Sequence, residues 1–199
     1  MAVLFISACS NEQASKAEKV SSNYVISEQV DKSCLSCHGG NGQKAERISD
    51  VRKTPEGWLN TVQRMERIHG VQLTDEQREQ IIKDLSAEQG LTPEEAESVQ
   101  YWMASKPSYA EPSTESEAVN NSCITCHAGG RFEAQRRTEQ EWANLKDFHL
   151  VMYPSIYLNN RHLDWPKEAE EALKYLGKEY SFDEKTWEKW KGTKYDVSR

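Results

Sequence analysis

No segment of this 199-residue chain is long and apolar enough to span a membrane. Apolar residues make up only 37% of it and the mean hydropathy is −0.84, too polar a balance to build a generous core unaided. An excess of positive charge is missing too. Lys and Arg number 25 against 32 Asp and Glu, a net charge of −7, which argues against nucleic-acid binding. It leaves room for protein partners of mixed or basic surface. Strand-like alternation persists nowhere, so the chain does not read as a sheet protein. Cysteine is scarce, at five residues, and the position of each carries information.

Four of the five fall in two copies of Cys-x-x-Cys-His, at Cys34-Leu35-Ser36-Cys37-His38 and Cys123-Ile124-Thr125-Cys126-His127. The pentapeptide is the attachment signature of c-type haem. The two thiols add across the haem vinyl groups, and the adjacent imidazole reaches the iron as proximal ligand. Paired thiolates at this spacing also form half of a tetrahedral zinc site, but zinc does not ask for a histidine directly after each pair. A thioredoxin-like dithiol sits at the end of a strand in a βαβ unit, and nothing strand-like precedes either motif. Two covalently attached haem c groups are therefore expected, held by Cys34, Cys37 and His38 and by Cys123, Cys126 and His127. Two such flat apolar bodies would also make good the shortage of core.

The fifth cysteine, Cys9, ends Ile6-Ser7-Ala8-Cys9, a run similar to a bacterial lipobox in which the cysteine is lipidated. Only eight residues precede it, without the basic start and full apolar stretch of a secretory signal. Residues 1–22 read as a truncated signal with a polar tether, and any membrane association as a lipid anchor at Cys9. The alternative is a stray cysteine in a polar tail. Haem c is attached outside the bacterial cytoplasm, so a periplasmic location is expected in either case.

Helix signals recur along the rest of the chain, and the expected fold class is all-α. Thr74-Asp75-Glu76-Gln77 and Thr92-Pro93-Glu94-Glu95 are capping boxes. The first leads a stripe of Ile81, Ile82 and Leu85, the second one of Ala96, Val99, Trp102 and Met103. Ser181-Phe182-Asp183-Glu184 reads as the start of a last short helix carrying Trp187 and Trp190. Between Ser105 and Asn121 the composition turns to Ser, Pro, Glu and Asn, as in a linker. The expected organisation is two tandem cytochrome c-like modules, 23–106 and 121–199, joined by a linker over 107–120.

An internal repeat supports that division. Arg52-Lys53-Thr54-Pro55-Glu56-Gly57-Trp58 echoes Arg136-Arg137-Thr138-Glu139-Gln140-Glu141-Trp142, and both open a helix with Thr54 or Thr138 as the cap. Seven residues after each tryptophan stands a residue able to bind iron, Met65 in the first copy and His149 in the second. Trp58, Val62 and Met65 share one helical stripe, and Trp142, Leu145 and His149 another. A six-coordinate electron-transfer haem needs such a sixth ligand, usually Met or His. Met65 is thus the candidate at the first haem, with His69 as its rival. His149 is the candidate at the second, with His162 and Met152 as rivals. Methionine on an apolar helix face is more often core filler; it is the repeat that singles Met65 out. His/Met coordination would make the first haem the higher in potential and His/His the second the lower.

Longer runs carry a family resemblance. Arg47 to Trp58 with Thr61-Val62-Gln63-Arg64-Met65, and Gln135 to Trp142 through Phe148-His149-Leu150 to Tyr153-Pro154 and Arg161 to Trp165, resemble the dihaem domain of the quinohaemoprotein amine dehydrogenase alpha subunit. The resemblance implies one His/Met and one bis-histidine haem, with Met65 and His149 as the distal ligands. It also implies electron flow from a quinone cofactor on a separate subunit to external acceptors. That family's subunit continues into β-rich domains, whereas this chain stops at Arg199, and no residue here could form the quinone. The expected role is therefore a non-catalytic dihaem cytochrome relaying electrons between redox partner proteins. The alternative is the haem-bearing part of an amine dehydrogenase complex with a quinone-cofactor subunit.

Overall fold

Threonine and serine hydroxyls start most of the described helices, and Thr54, Thr74, Thr92 and Thr138 do so where the sequence implies. The computed structural model describes residues 27–39, 45–97, 115–159, 162–183 and 185–186. Helix α1, Glu28–His38, begins with the Ser27 hydroxyl accepting the Val30 N–H and ends at Gly39. Gly39 has φ 57°, a left-handed conformation that favours glycine. Helix α2, Pro55–His69, is capped by Thr54 on Gly57 N–H, has proline in its first turn, and stops at left-handed Gly70. Helix α3, Asp75–Glu88, carries the full capping box between Thr74 and Gln77. In α4, Pro93–Glu97, Thr92 and Glu95 exchange the same reciprocal pair of bonds, at 3.1 and 2.8 Å. Each such cap contributes about 1 kcal/mol.

The second part of the chain follows with α5, Glu117–Ser122, capped by Ser116, and the short α6, Gly130–Glu133. Residues 117–120, the end of the stretch expected as linker, are therefore helical. Helix α7, Glu139–Met152, is capped by Thr138 on Glu141 N–H; α8, Ile156–Asn159, is a single turn; α9, Trp165–Glu179, is long and amphipathic. The described residues are mostly helical, consistent with the all-α expectation.

Two short strands interrupt that picture: β1, Val51–Lys53, and β2, Gln135–Arg137, which pair antiparallel. Three residues are too few for a period-2 signal, so alternation in the sequence could not reveal them. Ser181 also departs from expectation. It forms a bridge with Arg137 instead of capping a helix, and the Asp183 carboxylate takes the Lys185 N–H at 3.0 Å. Trp187, Trp190, Val99, Trp102, Met103 and Cys9 lie outside the described residues.

Three apolar clusters form the core. Val30, Val51, Trp58, Val62, Ile81 and Leu85 pack together where α1 and α2 both lie on α3. Val119, Ile124, Phe132, Trp142, Ala172, Leu173 and Leu176 pack where α5 and α7 both lie on α9. Ile156, Trp165 and Ala169 form a smaller third group. The repeated tryptophans do the same thing in each place. Trp58 donates its indole N–H to Gln89 O, at the end of α3, and Trp142 donates to Tyr180 O, at the end of α9, at 2.9 and 3.0 Å.

The ladder pairs Val51 with Arg137, Arg52 with Arg136 and Lys53 with Gln135. It is centred on Arg52 and its own repeat counterpart. Two further bonds flank it reciprocally, Thr54 N–H to Ala134 O at 3.3 Å and Thr138 N–H to Asp50 O at 3.1 Å. An antiparallel ladder centred in this way has a local two-fold through the Arg52–Arg136 pair, and the two repeats meet along it.

Candidate haem sites

Both Cys-x-x-Cys-His motifs sit at the end of a helix. The first fills the last turns of α1, with Cys34 half-buried and Cys37 exposed. The second turns away from α5, where Cys123 N–H still bonds Val119 O and Cys126 N–H reaches back to Cys123 O. Again the first cysteine is half-buried and the second exposed. Burial pushes the Cys34 and Cys123 thiols up, which keeps them protonated near neutral pH. Among the described residues no three His, Cys, Asp or Glu side chains gather as a metal-ion site. The four thiols therefore do not converge on a zinc centre, and all four are free of disulfide bonds.

The imidazoles are oriented alike. Nδ1 lies 3.2 Å from Glu46 O in His38, 3.1 Å from Ala128 O in His127 and 2.6 Å from Leu145 O in His149. A carbonyl can only accept, so Nδ1 is the donor in each, and Nε2 is the ring nitrogen left to face a metal. That is the arrangement in which a backbone carbonyl orients a histidine for metal ligation. Burial pulls His127 and His149 below the ordinary histidine range, against the pull of their carbonyl bonds. The positive charge of Arg131 acts on His127 in the same direction.

Trp165 ties the second group together. Its indole N–H bonds Ser122 O at 3.0 Å, directly before Cys123, and its ring lies 5.9 Å from the His149 ring. Cys123 packs on the cluster that contains Trp142, with Leu145 of the His149 stripe beside it. The first group is built on the same plan: Cys34 packs on the cluster holding Trp58 and Val62, and Met65 lies on α2 one turn beyond Val62, half-buried.

The rivals fall elsewhere. His69 is the exposed last residue of α2, His162 is exposed in a turn, and Met152 is the last residue of α7.

Positive charge gathers at the seam between the repeats. Lys53 and Arg137, which are repeat counterparts, are both buried, and each lies over the tryptophan of its own copy, at 5.3 and 5.7 Å. Glu141, also buried, holds Arg47 at 3.0 Å and Arg137 at 3.4 Å. Burial drives the Lys53 amine well below its ordinary value, and the Arg137 and Arg64 charges add to the effect. Arg64 stacks on the Phe148 ring at 5.1 Å, and its Nε is buried without a hydrogen-bond partner. A buried donor left unpaired in a cationic region suits an anionic group such as a haem carboxylate. Free thiols beside oriented imidazoles suit the rest of that cofactor.

Single-residue motifs did not point to Trp165, Arg64 or Phe148. Two signals were available: the repeat, in which Arg64 and Phe148 are counterparts directly before Met65 and His149, and the runs carrying the family resemblance, which contain all three.

No curated protein matches this sequence. Residues 25–187 match the family described as "Quinohemoprotein amine dehydrogenase A, alpha subunit, haem binding", a span that takes in both motifs and every imidazole discussed above. The chain belongs to this haem-binding family of the quinohaemoprotein amine dehydrogenase alpha subunit, which gives it a haem-binding, electron-transfer role.

Proposed function

We propose that this protein is a dihaem c-type cytochrome that relays single electrons between a donor and an acceptor in the periplasm. Cys34, Cys37 and His38 hold one haem, with Met65 as the sixth ligand. Cys123, Cys126 and His127 would hold the other, with His149 as its sixth ligand. Each haem supplies a one-electron Fe(III)/Fe(II) couple, and the chain supplies fixed ligands that spare the iron a change of coordination. On this reading the chain comprises two tandem cytochrome c-like modules, 23–106 and 121–199, with Cys9 as the point of lipid anchorage.

The observation that carries this reading is the position of His149. Its Nδ1–H is held by Leu145 O, which leaves Nε2 as the nitrogen to face the iron, and Trp165 links its ring to the backbone beside Cys123. Thioether sulfur favours ferrous iron more than imidazole does, so the first haem is the higher in potential. Electrons enter at the second haem and leave from the first.

An optical redox titration of the matured protein, with the haem count fixed by intact mass, tests this. Two haems and two separated potentials are expected. A single haem by mass, or two equal potentials, would sink the proposal.

Membership of the family favours a second reading, in which the chain is the haem-bearing part of an amine dehydrogenase complex and a quinone-bearing subunit is the donor. Co-purification with such a subunit, and reduction of the haems on adding a primary amine, would establish it. Reduction only by unrelated donors would leave the free-standing relay.

A further inference from the structure

Arg64 belongs to the first repeat and precedes Met65, yet its guanidinium lies across the seam. It stacks 5.1 Å over the Phe148 ring, which is itself edge-on to the His149 ring at 5.6 Å. The half-buried guanidinium keeps one N–H, at Nε, sealed from solvent without a partner. Around it stand the buried Lys53 and Arg137 and the exposed Arg47, with the Glu141 carboxylate already engaged by Arg47 and Arg137. Burying Lys53 and Arg137 beside the half-buried Arg64 is costly unless an anion joins them.

We propose that Arg64 is a positioning residue shared by both haem sites, its free Nε–H binding a haem carboxylate at the seam and its charge raising both reduction potentials. The inference rests on Met65 and His149 being the sixth ligands. A fixed positive charge near an iron disfavours the ferric state more than the ferrous one, so removing it lowers the potential. A guanidinium carried on the Met65 helix and stacked beside His149 would act on the iron held at each site. Arginine suits the task because its planar fork stacks on an aromatic ring and presents donors to a carboxylate at the same time.

The test uses the matured full chain in four forms: wild type, Arg64→Gln, Arg64→Lys and Arg67→Gln. Arg67 lies on the same helix but is exposed, so its neutralisation controls for net charge. Arg64→Gln is expected to lower both potentials, Arg64→Lys to keep both near wild type, and Arg67→Gln to move neither. The proposal fails if Arg64→Gln moves the potentials no more than Arg67→Gln does, or moves only one of them.

Resonance Raman spectroscopy gives a second readout should Arg64→Gln fail to mature. The propionate bending band differs between wild type and Arg64→Lys if the guanidinium binds a carboxylate, and coincides if it does not. The methionine–iron charge-transfer band of the wild type separates the two levels of failure. Its absence removes the ligand reading itself, whereas its presence with unmoved potentials removes only the role of Arg64.

Discussion

Arg52 faces Arg136 across the antiparallel ladder, and each is the other's counterpart in the repeat. Like charges directly opposite one another in a sheet are destabilising. Glu95 resolves the conflict. Its carboxylate takes two bonds from Arg52, one of them at 2.6 Å, and lies 3.3 Å from Arg136 Nε. Tyr180 and Phe182 cover the two guanidinium groups.

Removing that carboxylate leaves a fully buried arginine without its counter-charge. Glu95→Gln is expected to lower stability by about 3 kcal/mol, as when one partner of a buried pair is lost. Denaturant unfolding of the matured protein checks this. Lys32→Ala, which breaks an exposed pair with Glu28, should leave the midpoint where it was.

The same group sets an acid limit. Burial works to raise the Glu95 carboxyl, but the bonds from Arg52 and Thr92 N–H and the charges of Arg52 and Arg136 outweigh it and hold it below the ordinary range. A carboxyl depressed in the fold contributes stability above its unfolded value, near pH 4.3, and loses it as pH falls through the folded one. Wild-type stability should therefore drop on acidification below about pH 4.3, and the Glu95→Gln protein should show a flatter profile there. Parallel profiles would show that Glu95 does not set the limit.

Trp58 and Trp142 offer a paired experiment. Trp58→Phe and Trp142→Phe each leave a helix-end carbonyl, Gln89 O or Tyr180 O, without its indole donor. A loss of about 1 to 2 kcal/mol is expected from each. Similar losses from the two variants would show that the repeats use the contact alike; a loss from only one would show that they do not.

Exchanging the proposed sulfur ligand should change the redox behaviour and spare the attachment. Met65→His is expected to lower the first potential towards the second, with both haems retained by intact mass. An unchanged potential would place the sixth ligand elsewhere.

With Met65 and His149 as the proposed sixth ligands, neither iron would keep an open position. Carbon monoxide added to the reduced protein is therefore expected to leave the haem spectrum unchanged at neutral pH. Rapid binding at either haem would point instead to a displaceable ligand and to ligand-binding chemistry.

Much of this architecture was legible in the sequence, because local rules wrote it. Thr54, Thr74, Thr92 and Thr138 cap the helices they were expected to cap, since a hydroxyl followed by acidic or amide residues satisfies orphan N–H groups whatever packs nearby. The repeat led to the Trp58 and Trp142 stripes for the same reason, through helical spacing. What stayed hidden depends on partners distant in sequence. The β1–β2 ladder is too short to show a period, and Ser181 goes to Arg137 because a strand happens to pass it. The charge cluster at the seam was equally invisible, because Lys53, Arg64 and Arg137 look like ordinary surface cations until the fold buries them.

The reciprocal bonds Thr54 N–H to Ala134 O and Thr138 N–H to Asp50 O use only main-chain atoms. A joint made this way is indifferent to side-chain identity. It fixes the spacing of the two copies while leaving their faces free to diverge, so that methionine stands at position 65 and histidine at its counterpart 149 without disturbing the register.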